Sequence, residues 1–126
     1  MPFVVSWPDR TFLARFEGIV TANEIEAVNH LFSGDERLDR VRYSIWDFSS
    51  ASSVEVPEQE IEYAAAFDKG VSNVKAQLKG ALIAACDPVK AKLEAYLSIA
   101  KDLDVGWDTR LFDTMDAARA WLEADR

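Results

Sequence analysis

The sequence predicts an α/β fold in one domain over residues 1–126, with element order ββαβαβαβα: a mixed, mostly parallel five-stranded sheet, an antiparallel N-terminal hairpin and four helices. Three observations predict it. Short apolar runs alternate with longer stretches whose apolar residues recur at helical spacing. A capping residue or a proline stands at the head of each helical stretch. With 126 residues, 49% of them apolar and 29% charged, the chain is long and apolar enough to bury one core. Strands linked through helices run parallel by right-handed crossovers.

The hairpin comes first: FVVSW (3–7), a turn at Pro8-Asp9, then TFLARFEGI (11–19), in which Phe12, Ala14 and Phe16 alternate with Leu13, Arg15 and Glu17. Thr21 and Glu24 have capping-box spacing, and Ile25, Val28, Leu31 and Phe32 mark the inner face of a first helix that stops at Ser33-Gly34. RYSIWDF (42–48) has the aromatic and branched residues of a strand covered on both faces. A serine-rich loop follows it. Pro57 opens a second helix, with Ile61, Ala64, Ala65 and either Phe67 or Asp68 bounding the buried stripe and Gly70 as its expected end.

ALIAA (81–85) reads as a central strand. Asp87 caps a third helix with Pro88 at its first position; its inner face is Val89, Leu93, Tyr96, Leu97, Ala100 and Leu103, and it leaves through Val105-Gly106. TRLFD (109–113) is the last strand. Thr114 caps a closing helix with Met115, Ala118, Trp121 and Leu122 on one face.

Charge and composition exclude several roles. A net charge of −8 without a basic run disfavours nucleic acid and anionic membrane surfaces, since binding phosphates requires a basic stripe. The N-terminus MPFVVSWPDR lacks the basic lead and apolar length of a signal peptide, and no segment approaches the ~20 apolar residues of a membrane span. A cytoplasmic location is expected. The single cysteine, Cys86, fits a reducing compartment and is expected to be buried as a continuation of the ALIAA run.

The element order, with FEGIVTANEI after the second strand, IWDFSSA ending the third and TRLFDTMDAARAWLEAD at the C-terminus, resembles the SpoIIAA-like branch of the STAS superfamily, whose members often carry a STAS/SEC14 label. The resemblance covers nearly the whole chain and implies a STAS-like sandwich and a regulatory or protein-binding role. Related anti-sigma-factor antagonists are phosphorylated on a serine in an Asp-Ser-Ser-Gly-like turn. Counting from Asp47 places Glu55 at that motif's aspartate and Val56 at its acceptor serine, with Pro57 after them. The acceptor hydroxyl is missing, and Ser49, Ser50, Ser52 and Ser53 lie earlier, outside any such motif.

Candidate partner- or ligand-binding residues are Asp47, Ser49, Ser50, Glu55 and Trp107. Asp47 ends a parallel strand, where open α/β sheets place ligands, although a carboxylate there also serves the backbone and hydroxyl donors of the following loop. Trp107, in the Gly106-Trp107-Asp108 turn, is the tryptophan expected to be exposed, while Trp46 and Trp121 are expected in the core. Glu58, Glu60, Glu62 and Asp68 read as a solvated face. Asp87 and Asp113 join Asp47 near one sheet edge, yet no lysine ends the last strand to complete a receiver-like metal pocket. A lone histidine, His30, makes no zinc pair, and the chain has no GxGxxG, Walker or Gly-x-Ser-x-Gly sequence.

The sequence therefore points to a non-enzymatic interaction module that binds a protein partner or self-associates, without cofactor or metal. The alternative is a carrier or sensor of a small apolar or lipid-like ligand. Large side chains at Ile45, Trp46, Ile61, Phe67, Leu82, Leu93 and Leu97 predict a largely closed core between sheet and helices.

Overall fold

A computed structural model describes residues 3–124. The expected domain limits at 1 and 126, and Asp125 of the C-terminal motif, lie outside the described residues. The elements are β1 (Phe3–Ser6), β2 (Thr11–Thr21), α1 (Ala22–Ser33), a short 3-10 turn (Glu36–Arg40), β3 (Tyr43–Glu55), α2 (Glu58–Val74), β4 (Lys79–Ile83), α3 (Asp87–Asp102), β5 (Asp108–Phe112) and α4 (Met115–Glu123). The five strands stand in sequence order across the sheet, β1 antiparallel to β2 and every later pair parallel. Among the described residues no helix is long and apolar enough to cross a membrane.

Period-two alternation divides the strand residues between two layers. Phe12, Ala14 and Phe16 of β2, with Phe48 and Leu82, pack under α1, α2 and α3. Leu13, Tyr43, Ile45, Ala81 and Ile83 point the other way and are covered by Ala118 and Leu122 of α4. Phe16 and Phe48 stack with centroids 4.4 Å apart, and Phe12 meets Phe32 of α1 at 4.8 Å. The middle strand is β3, with β4 interior beside it, so ALIAA is not at the centre.

Several expectations shift by a turn or a face. β3 does not end at Phe48 but continues to Glu55, so the serine cluster is strand, not loop. It pairs with β2 as far as Thr21↔Glu55 through two register shifts, each adding one residue to β3. At the second shift Gly18 takes a φ of 68°, which a residue without Cβ adopts at no steric cost. Because β4 pairs only as far as Asp47↔Ile83, β2 and β3 run on together as a two-stranded ribbon beyond the sheet.

Leu31 is exposed, because the buried stripe of α1 runs through Val28, Asn29 and Phe32 and leaves position 31 on its flank. α2 passes Gly70 without interruption and ends at Val74. The α3 helix starts one residue early, with Cys86 as its N-cap and Asp87 already in its first turn. Cys86 is half-buried rather than enclosed, since β4 stops at Ile83 and Ala85 already faces outward. α3 stops at Asp102, Leu103 is exposed, and the chain turns on Asp104 (φ 61°) instead of at Gly106. Thr114 caps α4 as expected, its Oγ1 accepting from the Ala117 amide at 3.1 Å.

Candidate functional site

Helical spacing brings polar groups inside the three-helix layer. In α2, Ile61, Ala65, Asp68 and Val71 recur every three or four residues on the buried side, so the carboxylate of Asp68 enters with them and is 8% exposed. It does not belong to a solvated face with Glu58, Glu60 and Glu62. In α1 the same geometry turns Asn29 inward between Val28 and Phe32. In α3, Tyr96 follows Leu93 and directs its hydroxyl to Asp68 Oδ2.

These side chains line a cavity of about 90 Å³ between the sheet and α1, α2 and α3. Its walls are mainly apolar: Trp46, Phe48, Ile61, Leu82, Leu93 and Trp107 among them. Asn29, Ser44, Asp68, Lys92, Tyr96 and Thr109 supply the polar atoms. The expected closed core is thus not found. Ile45 belongs to the α4 layer, Phe67 lies in an outer groove, and the inward position beside it holds a carboxylate. Ile45 is thus spent on the other layer, while Phe67 packs against the core from its outer side.

Burial pushes the Asp68 carboxyl up to about 6, against the pull of the Tyr96 hydrogen bond. Burial, then the neighbouring carboxylate, holds the Tyr96 phenol protonated well above its ordinary range. Lys92 Nζ donates to the Val56 carbonyl at 2.9 Å, tying α3 to the β3–α2 junction. The Asn29 side-chain oxygen is buried and has no hydrogen-bond partner among the described residues. Outside the cavity, a groove of about 240 Å³ runs between α1 and α2 beside Glu26, His30, Glu60, Tyr63 and Phe67. Ile25, Asn29, Val56 and Ala64 line both spaces.

The residues singled out in the sequence are not gathered in one place. Asp47 is buried and accepts from the Ser49 amide at 2.9 Å and the Ser49 hydroxyl at 2.6 Å. Ser49, Ser50 and Glu55 are exposed on the β2–β3 ribbon. Trp107 precedes β5, at the other end of the parallel strands, and is half-buried: its indole donates to the Lys75 carbonyl at 2.7 Å and its ring meets Phe32 edge-on. It is the one member of that set that reaches the cavity. Trp46 is half-buried on the cavity wall, and Trp121 is half-buried under Lys79 and Arg110. Among the described residues Asp47, Asp87 and Asp113 form no metal-holding group; Asp113 pairs with Lys90. Sequence reading missed Asn29 and Tyr96 as site residues, although both fall on inward helical positions that a plot of spacing reveals.

This architecture recurs among solved structures. The anti-sigma factor antagonist SpoIIAA in its unphosphorylated form matches with a TM-score of 0.61 at 14% identity, over 98% of this chain and 99% of that one. The chain has the SpoIIAA fold. The Bacillus cell fate determinant SpoIIAA in its phosphorylated form matches at the same TM-score, with 15% identity over 95% of this chain and 98% of its own. No family model and no curated protein matches the sequence. On the SpoIIAA fold, the Asp68–Tyr96 pair and Asn29 lie inside the helical layer, while Ser49, Ser50 and Glu55 lie on the overhanging ribbon.

Proposed function

We propose that this chain is a non-enzymatic, cytoplasmic regulatory module of SpoIIAA-like, STAS type that acts by binding a protein partner or a second copy of itself. The observation that carries the reading is the β2–β3 ribbon. Beyond Asp47 the outer edge of β3 has no strand partner among the described residues, and the ribbon presents Ile19, 54% exposed, with Ser49, Ser50 and Glu55. A ribbon with an unpaired edge on β3, an exposed apolar residue on β2 and adaptable polar groups offers both backbone and side-chain contacts to a partner. Agreement in fold with an anti-sigma factor antagonist along both chains supports the same role.

The module works without the phosphoserine of that group. At the β3–α2 junction Val56 is buried and offers no hydroxyl, and Pro57 follows it as the N-cap of α2. Photo-crosslinkers placed at Ser50 and Glu55 in the native host should give an adduct of defined mass, and one at exposed Ala120 of α4 should give none. Absence of any adduct, with a monomer at all concentrations by sedimentation, would overturn the reading. Stoichiometric phosphate on Ser49, Ser50, Ser52 or Ser53 by mass spectrometry would restore the switch. The cavity favours a second role for the same module, as sensor of a small apolar ligand.

A further inference from the structure

We infer that the cavity between the sheet and α1–α3 binds a small, neutral, one-ring or short branched molecule that carries a hydrogen-bond donor, held by Asn29 and Asp68 and admitted through the α1–α2 groove. This rests on the sensor reading of the cavity and specifies its ligand.

Size comes first. An apolar cavity of about 150 Å³ holds one benzene ring. The present one, at about 90 Å³, is smaller than that and takes a ring only together with part of the adjoining groove of about 240 Å³, so the limit is one small ring or a few branched carbons, not a lipid with two acyl chains. The wall chemistry then demands an apolar body, since Trp46, Phe48, Leu82 and Leu93 surround it.

Polarity follows from which atoms remain unused. Asn29 is 5% exposed, and its Oδ1 accepts nothing from the protein among the described residues. An acceptor in that state costs free energy until a donor reaches it. Asp68 already takes the Tyr96 hydroxyl on Oδ2, and its second oxygen is a further acceptor. Lys92, the cation on the wall, is engaged with the Val56 carbonyl. An anionic ligand would meet the Asp68 carboxyl without a free cation, so a neutral alcohol, phenol or amide fits best.

The route in is set by shared walls. Ile25, Asn29, Val56 and Ala64 border both the cavity and the outer groove, so a molecule passing between α1 and α2 moves past Asn29 on its way to Asp68. The same Val56 follows directly on the β2–β3 ribbon, which places an occupied cavity in contact with the proposed partner surface.

Phenol and toluene, nearly equal in size, separate the claims. Each is titrated into the full chain and followed by amide and methyl NMR. Phenol should shift resonances of Asn29, Asp68 and Tyr96 and bind about tenfold more tightly than toluene, because only phenol can donate its one hydroxyl hydrogen to the unpartnered Asn29 oxygen. Asn29→Leu should erase that preference, and Ala64→Leu, at the shared wall, should weaken both ligands in a chain that still folds. Equal binding of the two would overturn the donor requirement while leaving an apolar sensor. Binding of neither would overturn the site and the sensor reading together. Shifts confined to the outer groove would overturn the internal site.

Discussion

The Tyr96 hydroxyl of α3 donates to the Asp68 carboxylate of α2, joining two helices across the inner face of the layer they share. A hydrogen bond to a buried carboxylate favours its charged form, while burial disfavours it. Burial prevails here, and Asp68 sits at about 6.

That balance makes stability depend on pH with a definite sign. Between the ordinary aspartate value of 3.8 and about 6, the unfolded chain has lost the Asp68 proton while the folded chain keeps it. Folded protein therefore binds more protons in that window, stability falls as pH rises through it, and the loss levels off above about pH 6. The total is roughly 3 kcal/mol. Asp68→Asn has no such proton, so it should unfold at higher temperature than the parent at pH 7.5 and show no advantage at pH 4. Thermal scans across pH 4–8 check this; parallel curves for the two proteins would contradict it.

Removing the donor acts in the opposite direction. Tyr96→Phe leaves the Asp68 oxygen without its partner and should cost about 1–3 kcal/mol in urea unfolding at pH 7.5. In the Asp68→Asn background the same change should cost less, because a neutral amide acceptor loses less than a carboxylate. A double-mutant cycle gives the coupling between the two side chains.

Two glycines separate backbone strain from packing. Nothing lies within 4 Å of a Cβ built on either Gly18 or Gly70, so an added methyl clashes with nothing at either site. Gly18, however, holds a φ of 68° in the β2–β3 ribbon, whereas Gly70 lies inside α2. Gly18→Ala should destabilise by roughly 1–2 kcal/mol. Gly70→Ala should stabilise by about 0.5–1 kcal/mol. Chemical denaturation of the two variants side by side tests the pair.

Most of the element order was legible because each element carries a local signal: alternation in residues 11–16, Pro57 and Pro88 at helix starts, and the Thr114 cap. The ribbon was not. Ala51 and Val54 are both buried but stand three apart, since the register shifts displace the period that identifies a strand, and the serines around them read as loop. The cavity was hidden for a different reason. Periodicity says that a position faces inward, but not which of two layers a strand residue serves, and Ile45 serves the α4 layer although its pattern fits either. Asp68 and Asn29 sit at inward positions where polar residues are discounted, and their burial depends on partners from other helices.

Neighbouring serines of the ribbon distinguish structural from binding roles. Asp47 is 7% exposed and, among the described residues, accepts two hydrogen bonds, both from Ser49. In Ser49→Ala the amide donor remains and the hydroxyl at 2.6 Å is lost, which leaves a buried carboxylate with one donor fewer and should cost roughly 1–2 kcal/mol. Ser50 is exposed and lies one residue further on, paired with Glu17 across the ribbon. Its replacement by alanine should change stability by no more than about 0.5 kcal/mol. If the ribbon is the partner surface, the crosslink or self-association signal should respond to a bulky Ser50→Arg change at unaltered stability, and Ser49→Ala should affect it only as far as unfolding does. Urea midpoints and sedimentation of the same three variants decide the matter. A large stability loss in Ser50→Ala, or none in Ser49→Ala, would show that the Asp47 carboxylate is organised by something other than Ser49.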